Sequence, residues 1–259
     1  MSRMTAVMVS PDERLAETYR SVISTCGTLR VSLLSPSQSG PTPGQGWLRL
    51  TELTSGVDAL VAAEAARIEA EHGAAPRTHV AASRLLHHYL WSAGLLFGGP
   101  WYLTGELPVL GPEDIWIETA TGDLLVRPGG SAPADEAGLR AAVAAHVEPV
   151  LSAFQPIVKR GPRALWGMVT DDLVSGIWYL GRMRGEEEYA VRVAEAVLPG
   201  DTAPFPGAAD FRRLAGTEGR SHLTRTRLGC CLYYAVKPPE ACVTCPRTCD
   251  ADRVRKLEA

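Results

Sequence analysis

At 259 residues, with 46% apolar and 21% charged side chains, the chain is long enough to bury a substantial core and too apolar to be disordered. A formal net charge of −3 gives no whole-chain reason to expect nucleic acid or an anionic membrane as a partner. The opening MSRMTAVMVSPDERL has no apolar run behind a basic start. The most apolar stretch, residues 89–103, is broken by Gly94, Gly98, Gly99 and Pro100 and falls short of the roughly 20 residues of a spanning helix. The expectation is a cytoplasmic protein with no transmembrane segment, whose clustered thiols meet a reducing medium and bind metal rather than pair as disulfides.

In chain order, Ser10 is a capping residue ahead of Pro11, Asp12 and Glu13, so a first helix should run to about Cys26 and end at Gly27. Residues 29–34 and 47–50 are weak strand candidates on either side of a Pro/Gly/Ser-rich loop at 35–46. Helices follow at about 56–72, where Leu60, Ala63 and Ile68 fall on a different face from Glu64, Arg67 and Glu71, and at about 77–97. Trp101-Tyr102-Leu103 reads as a short strand beside a hairpin formed by 115–117 and 124–126 across the turn at 120–123. A loop at 128–133 precedes helices at about 136–155, 162–184 and 186–198, and a second Pro/Gly-rich loop covers 199–207. The fold class is therefore α+β, helix-dominated, with a small antiparallel sheet. No repeat of solenoid length is present. Three regions are expected: an N-terminal helical region at 1–105, a sheet with helices at 106–219, and a C-terminal segment at 220–259.

That last segment holds the chemistry. Five of the six cysteines, Cys230, Cys231, Cys242, Cys245 and Cys249, lie within twenty residues. Cys242-x-x-Cys245 brings two sulfurs to one side of a tight turn, and Pro246 directly after it is similar to the Cys-Pro ending of bacterial iron–sulfur runs. The vicinal pair Cys230-Cys231 is unusual, because neighbouring side chains of a strand point apart; they can serve two irons of one cluster or one iron from a turn. Tetrahedral zinc is the other reading, although it ordinarily takes two chelating pairs of two- to four-residue spacing and only one is present. Lone Cys26 reads as a small buried residue.

A vicinal pair, ten residues and then Cys-x-x-Cys is the spacing of the FhuF family of ferric-siderophore reductases. The chain resembles that family at Cys230, Cys231, Cys242 and Cys245, and in the preceding Arg and following Tyr residues. The resemblance implies a C-terminal loop in which these four thiolates ligate a [2Fe–2S] cluster. Cys249 departs from the pattern and is an alternative to one of the four.

A cluster with four thiolate ligands has no open position for a substrate, so it moves single electrons. Arg225, Arg227, Lys237 and Arg247 flank the thiols, within a segment at 221–259 that has seven Lys/Arg against four Asp/Glu. Such charge either raises the potential or guides an acidic donor. No Gly-x-Gly-x-x-Gly marks a nicotinamide or flavin site, so electrons are expected from another protein such as a ferredoxin. The resemblance implies a ferric siderophore as substrate, of hydroxamate type, docked on residues 1–219 and reduced to release ferrous iron. An iron–sulfur redox sensor and a structural-zinc binding module are the alternatives. Among other candidates, His87-His88 reads as a partly exposed polar step rather than a ligand pair, and Asp171-Asp172 as a solvated face or a cap. Trp166 and Trp178 read as core, and Tyr233 and Tyr234 as packing against the cluster.

Overall fold

The computed structural model describes residues 11–35, 37–42, 44–237 and 241–259; the expected cap at Ser10 lies outside them. Helices dominate, as the periodicity predicts. α1 (Pro11–Thr25), α2 (Leu53–His72), α3 (Thr78–Thr104), α4 (Glu136–Val158), α5 (Pro162–Met183) and α6 (Glu187–Val197) share one apolar core. Their ends follow local chemistry. Gly73 and Gly105 close α2 and α3 in the left-handed region, at φ 78° and 74°, and the Asp135 carboxylate opens α4 by accepting from the Gly138 amide at 2.8 Å.

α3 is the axis of the molecule, buried at most positions from Val80 to Trp101. At Gly94 it approaches α5 so closely that a Cβ there would stand 3.1 Å from the Asp172 carbonyl oxygen. The expected strand at Trp101–Leu103 is instead the last turn of this helix. Pro100 removes the amide that would bond the Leu96 carbonyl, and the Tyr19 hydroxyl on α1 donates to that carbonyl at 3.0 Å, so the helix continues through the proline. Among the described residues, α4 is the one helix long and apolar enough by length and composition to cross a membrane; its Leu139, Val143, Val147 and Phe154 are buried in the core.

The main sheet joins β1 (Val31–Leu33), β2 (Trp47–Arg49), β4 (Ile115–Glu118) and β5 (Leu124–Val126) in the order β1-β5-β4-β2. The expected hairpin is β4–β5, in register Ile115↔Val126. The sheet is mixed rather than purely antiparallel, because β1 runs parallel to β5. β3 (Glu106–Pro108) pairs with β6 (Ser131–Pro133), which turns part of the expected 128–133 loop into an edge strand where proline is tolerated. β7 (Phe211–Ala215), β8 (Ser221–Arg225) and α7 (Asp250–Leu257) were not expected. Their sequences are too polar to show an apolar stripe, and they are held by other means.

Candidate metal centre

Leaving β8, the chain runs across α5, and two aspartates on that helix fix its path. The Asp171 carboxylate accepts from the amides of Leu228 at 2.9 Å and Gly229 at 2.7 Å, and from the Arg225 guanidinium at 2.8 Å. Asp172 accepts from Arg227 at 2.7 Å and contacts His87 Nδ1 of α3 at 2.9 Å. Both aspartates and Arg225 are fully buried and Arg227 is 7% exposed. Asp171-Asp172 is thus neither a solvated face nor a cap: adjacent carboxylates on a helix enter the interior together because two arginines and two main-chain amides meet them. Burial alone would raise the pKa of Asp172, but Arg227 and His87 outweigh it and hold the carboxyl below its usual range. Arg227 is in turn held firmly charged against its own desolvation by Asp172 and Asp171. Gly229 leaves no room for a side chain, since a Cβ would lie 2.9 Å from Met168 of α5. Cys230 and Cys231 follow this anchor directly.

Past the vicinal pair, Leu232 takes a left-handed conformation, φ 63°, and its amide points at Cys230 Sγ at 3.4 Å. The second arm is a tight turn. Cys245 N donates to Cys242 O at 3.1 Å, and Thr248 Oγ1 donates to the same carbonyl at 3.0 Å. Arg253 of α7, 1% exposed, secures this turn by donating to the carbonyls of Val243, Cys245 and Thr248 at 2.7, 3.1 and 3.1 Å. The arms meet where Arg227 N donates to Thr244 O at 2.9 Å.

Cys230, Cys231, Cys242 and Cys245 consequently line a single recess, with Tyr233 and Tyr234 at its rim. Burial raises the pKa of both Cys230 and Cys242, and the thiols act on each other to add to it: Cys245 and Cys231 at Cys230, and Cys231 and Cys245 at Cys242. Arg227 partly offsets the rise at Cys242. Donors already point at the sulfurs. Arg84 Nη1 lies 3.2 Å from Cys231 Sγ and the Arg247 amide 3.5 Å from Cys245 Sγ. A centre made of anionic sulfur and two irons needs two thiolates at each iron and hydrogen bonds to sulfur, and this donor set fits it. Among the described residues, no three His, Cys, Asp or Glu side chains converge on the position of a single ion.

Cys249 stands apart, exposed at the start of α7. Arg225 and Arg227 do not form a surface patch; they are used internally. Tyr233 and Tyr234 sit at the recess and are covered by the guanidinium groups of Arg84 and Arg247 at 4.8 and 4.3 Å from the ring centroids. His88 is exposed beside Arg84, while His87 turns inward to Asp172, so the two do not act as a ligand pair. Trp166 and Trp178 pack edge-on against Phe205 and Phe211, and Cys26 is buried. Arg84, Arg160 and Arg253 escaped sequence reasoning. Arg84 lies 147 positions from the thiol it touches, Arg160 donates to the Cys230 carbonyl at 2.6 Å from 70 positions away, and neither carries a local signal.

None of the curated proteins matches the chain. Residues 227–247 match the family model described as the FhuF 2Fe-2S C-terminal domain, which begins at Arg227 and spans all four recess thiols. The C-terminal segment therefore carries a FhuF 2Fe-2S C-terminal domain, and the cofactor of that domain is a [2Fe–2S] cluster.

Proposed function

We propose that the protein is a cytoplasmic ferric-siderophore reductase in which Cys230, Cys231, Cys242 and Cys245 ligate the cluster. The single observation that carries this reading is the recess where these four thiols meet under hydrogen bonds from Arg84 and two main-chain amides. When bound, the cluster supplies one electron, taken from a donor protein such as a ferredoxin, and that electron converts a chelated ferric ion to ferrous ion. Hydroxamate oxygens are hard ligands that hold ferric iron far better than ferrous, so the reduced metal leaves. The chain's residues keep the sulfurs in place and polarise them. Arg84 and Arg227 set positive charge beside Cys231 and Cys242, which favours the more anionic reduced state.

The test is anaerobic. Dithionite-reduced protein, freed of excess reductant, is mixed with a ferric hydroxamate and a ferrous trap. Cluster reoxidation matched one to one by trapped ferrous iron is expected, whereas a cluster that stays reduced would favour a sensor. Cys249→Ser should retain full colour, and serine at Cys230, Cys231, Cys242 or Cys245 should bleach or shift the visible spectrum.

A further inference from the structure

Beside the recess lies a cleft of about 420 Å³ between α2, α3 and the C-terminal segment, within the range of small-molecule sites. We infer that the ferric chelate docks in this cleft, against a wall made by Cys231 and Cys242, and that the cleft selects uncharged tris-hydroxamate chelates over strongly anionic ones. The inference rests on the reductase reading and adds the place and the selectivity.

Three observations converge. Cys231 and Cys242 line both the recess and the cleft, whereas Cys230 and Cys245 line the recess alone. A ligand in the cleft is thus separated from the cluster by two of its own ligands, and the electron leaves by that edge. The second observation is room. A cavity of about 340 Å³ shares the walls Glu64, Ile68, Glu71 and His88 and carries the cleft on past Trp91 to the β4–β5 turn. Ile68 and Trp91 offer apolar surface to methylene arms, while Arg84 and His88 offer donors to hydroxamate oxygens.

The third is charge. The full charges on the cleft wall are two acids, Glu64 and Glu71, and two arginines, Arg84 and Arg227. Arg227 is taken up by Asp172 at 2.7 Å and Glu64 by Arg67. The neighbouring cavity adds Arg67, the partner of Glu64, and Arg30 and Asp123, which pair with each other at 3.7 Å, so every arginine of the two cavities except Arg84 already faces a carboxylate. Ferric iron bound by three hydroxamates is neutral, and bound by three catecholates it is a trianion. A trianion entering a wall whose arginines are already taken up by carboxylates or, for Arg84, by Cys231 Sγ loses hydration that little replaces; a neutral complex does not.

Gallium(III) has the charge and coordination of ferric iron but takes no electron here, so it separates docking from reduction. Equilibrium dialysis of the holoprotein with gallium tris-hydroxamate and gallium tris-catecholate should show binding of the first and at least tenfold weaker binding of the second. His88→Trp, which fills the cleft from an exposed position, should weaken tris-hydroxamate binding at least tenfold while the cluster's visible spectrum stays unchanged. Glu71→Arg, on the outer wall, should narrow the discrimination by raising tris-catecholate affinity. Binding unaffected by both variants, or equal affinity for the two complexes, would overturn the inference. Wild-type protein that binds the gallium complex but cannot reduce the ferric one would overturn the reductase reading and leave the cleft standing. Reduction in the wild type that both variants leave unaltered would do the reverse.

Discussion

The helical body and the C-terminal segment are built on different physics. From Leu15 to Ala209 the interior is a continuous set of aliphatic and aromatic side chains, and beyond Ala209 the buried apolar side chains among the described residues are Cys231 and Cys245. Arginines take their place: Arg225 and Arg253 rank with Trp116, Tyr19 and Leu86 among the largest side chains less than 2% exposed. The body is held by area removed from water, which is non-directional and forgiving. The segment is held by satisfied charges and carbonyls, which tolerate few substitutions, because removing one partner leaves the other buried and unpaired.

Four experiments probe that contrast. Asp171→Ala strands the Arg225 guanidinium and the amides of Leu228 and Gly229, which should cost about 3–5 kcal/mol. Iron and acid-labile sulfide should fall sharply while far-UV dichroism keeps its helical signal; if the helices melt too, the regions are not separable. Arg253→Ala withdraws donors from three carbonyls of the Cys242–Thr248 turn, an expected loss of about 1–3 kcal/mol. It should appear as faster bleaching by an iron chelator, with the body's melting midpoint unmoved.

The body can be challenged without touching the segment through His146, 9% exposed, whose ring meets the Tyr89 hydroxyl at 2.8 Å. Burial lowers its pKa to about 4. The unfolded imidazole takes a proton below about 6.5 while the folded one stays neutral, so stability is full above that pH and declines as pH falls towards 4. At pH 5 the loss from His146 should be about 2 kcal/mol, read as a lower thermal midpoint of the helical signal. His146→Gln should remove that share while leaving the decline contributed by His87 and His88, whose pKa values desolvation also lowers. The smallest effect belongs to Arg212, paired with Asp250 at 2.6 and 2.7 Å where the two side chains are 37% and 52% exposed. Arg212→Ala should cost less than about 1 kcal/mol and leave iron content unchanged. A larger, salt-sensitive loss would mean that the segment leans on its surface pairs as well as its buried ones.

The same contrast explains what could be read from the sequence. Six helices and the β4–β5 hairpin were visible because apolar periodicity reports burial directly. The extension of α3 through Pro100 was not, because it depends on Tyr19, which reaches across from α1. In the segment the cysteine spacing was legible, since thiols that share a metal must recur at fixed intervals. Their supports were not. A buried arginine looks in sequence like a solvated one, and Asp171-Asp172 looked like surface until β8 carried Arg225 and Arg227 onto α5.

Asp171 grips peptide nitrogens rather than sulfur, so the course of the loop is set by atoms that iron never touches. The first two thiols are thereby stationed by folding itself, and the entropy of gathering them is not charged against the metal when it arrives. On the proposed ligand set, assembly is the filling of a mould already cast, and iron and sulfide added to the apoprotein should restore the centre with no change in far-UV dichroism.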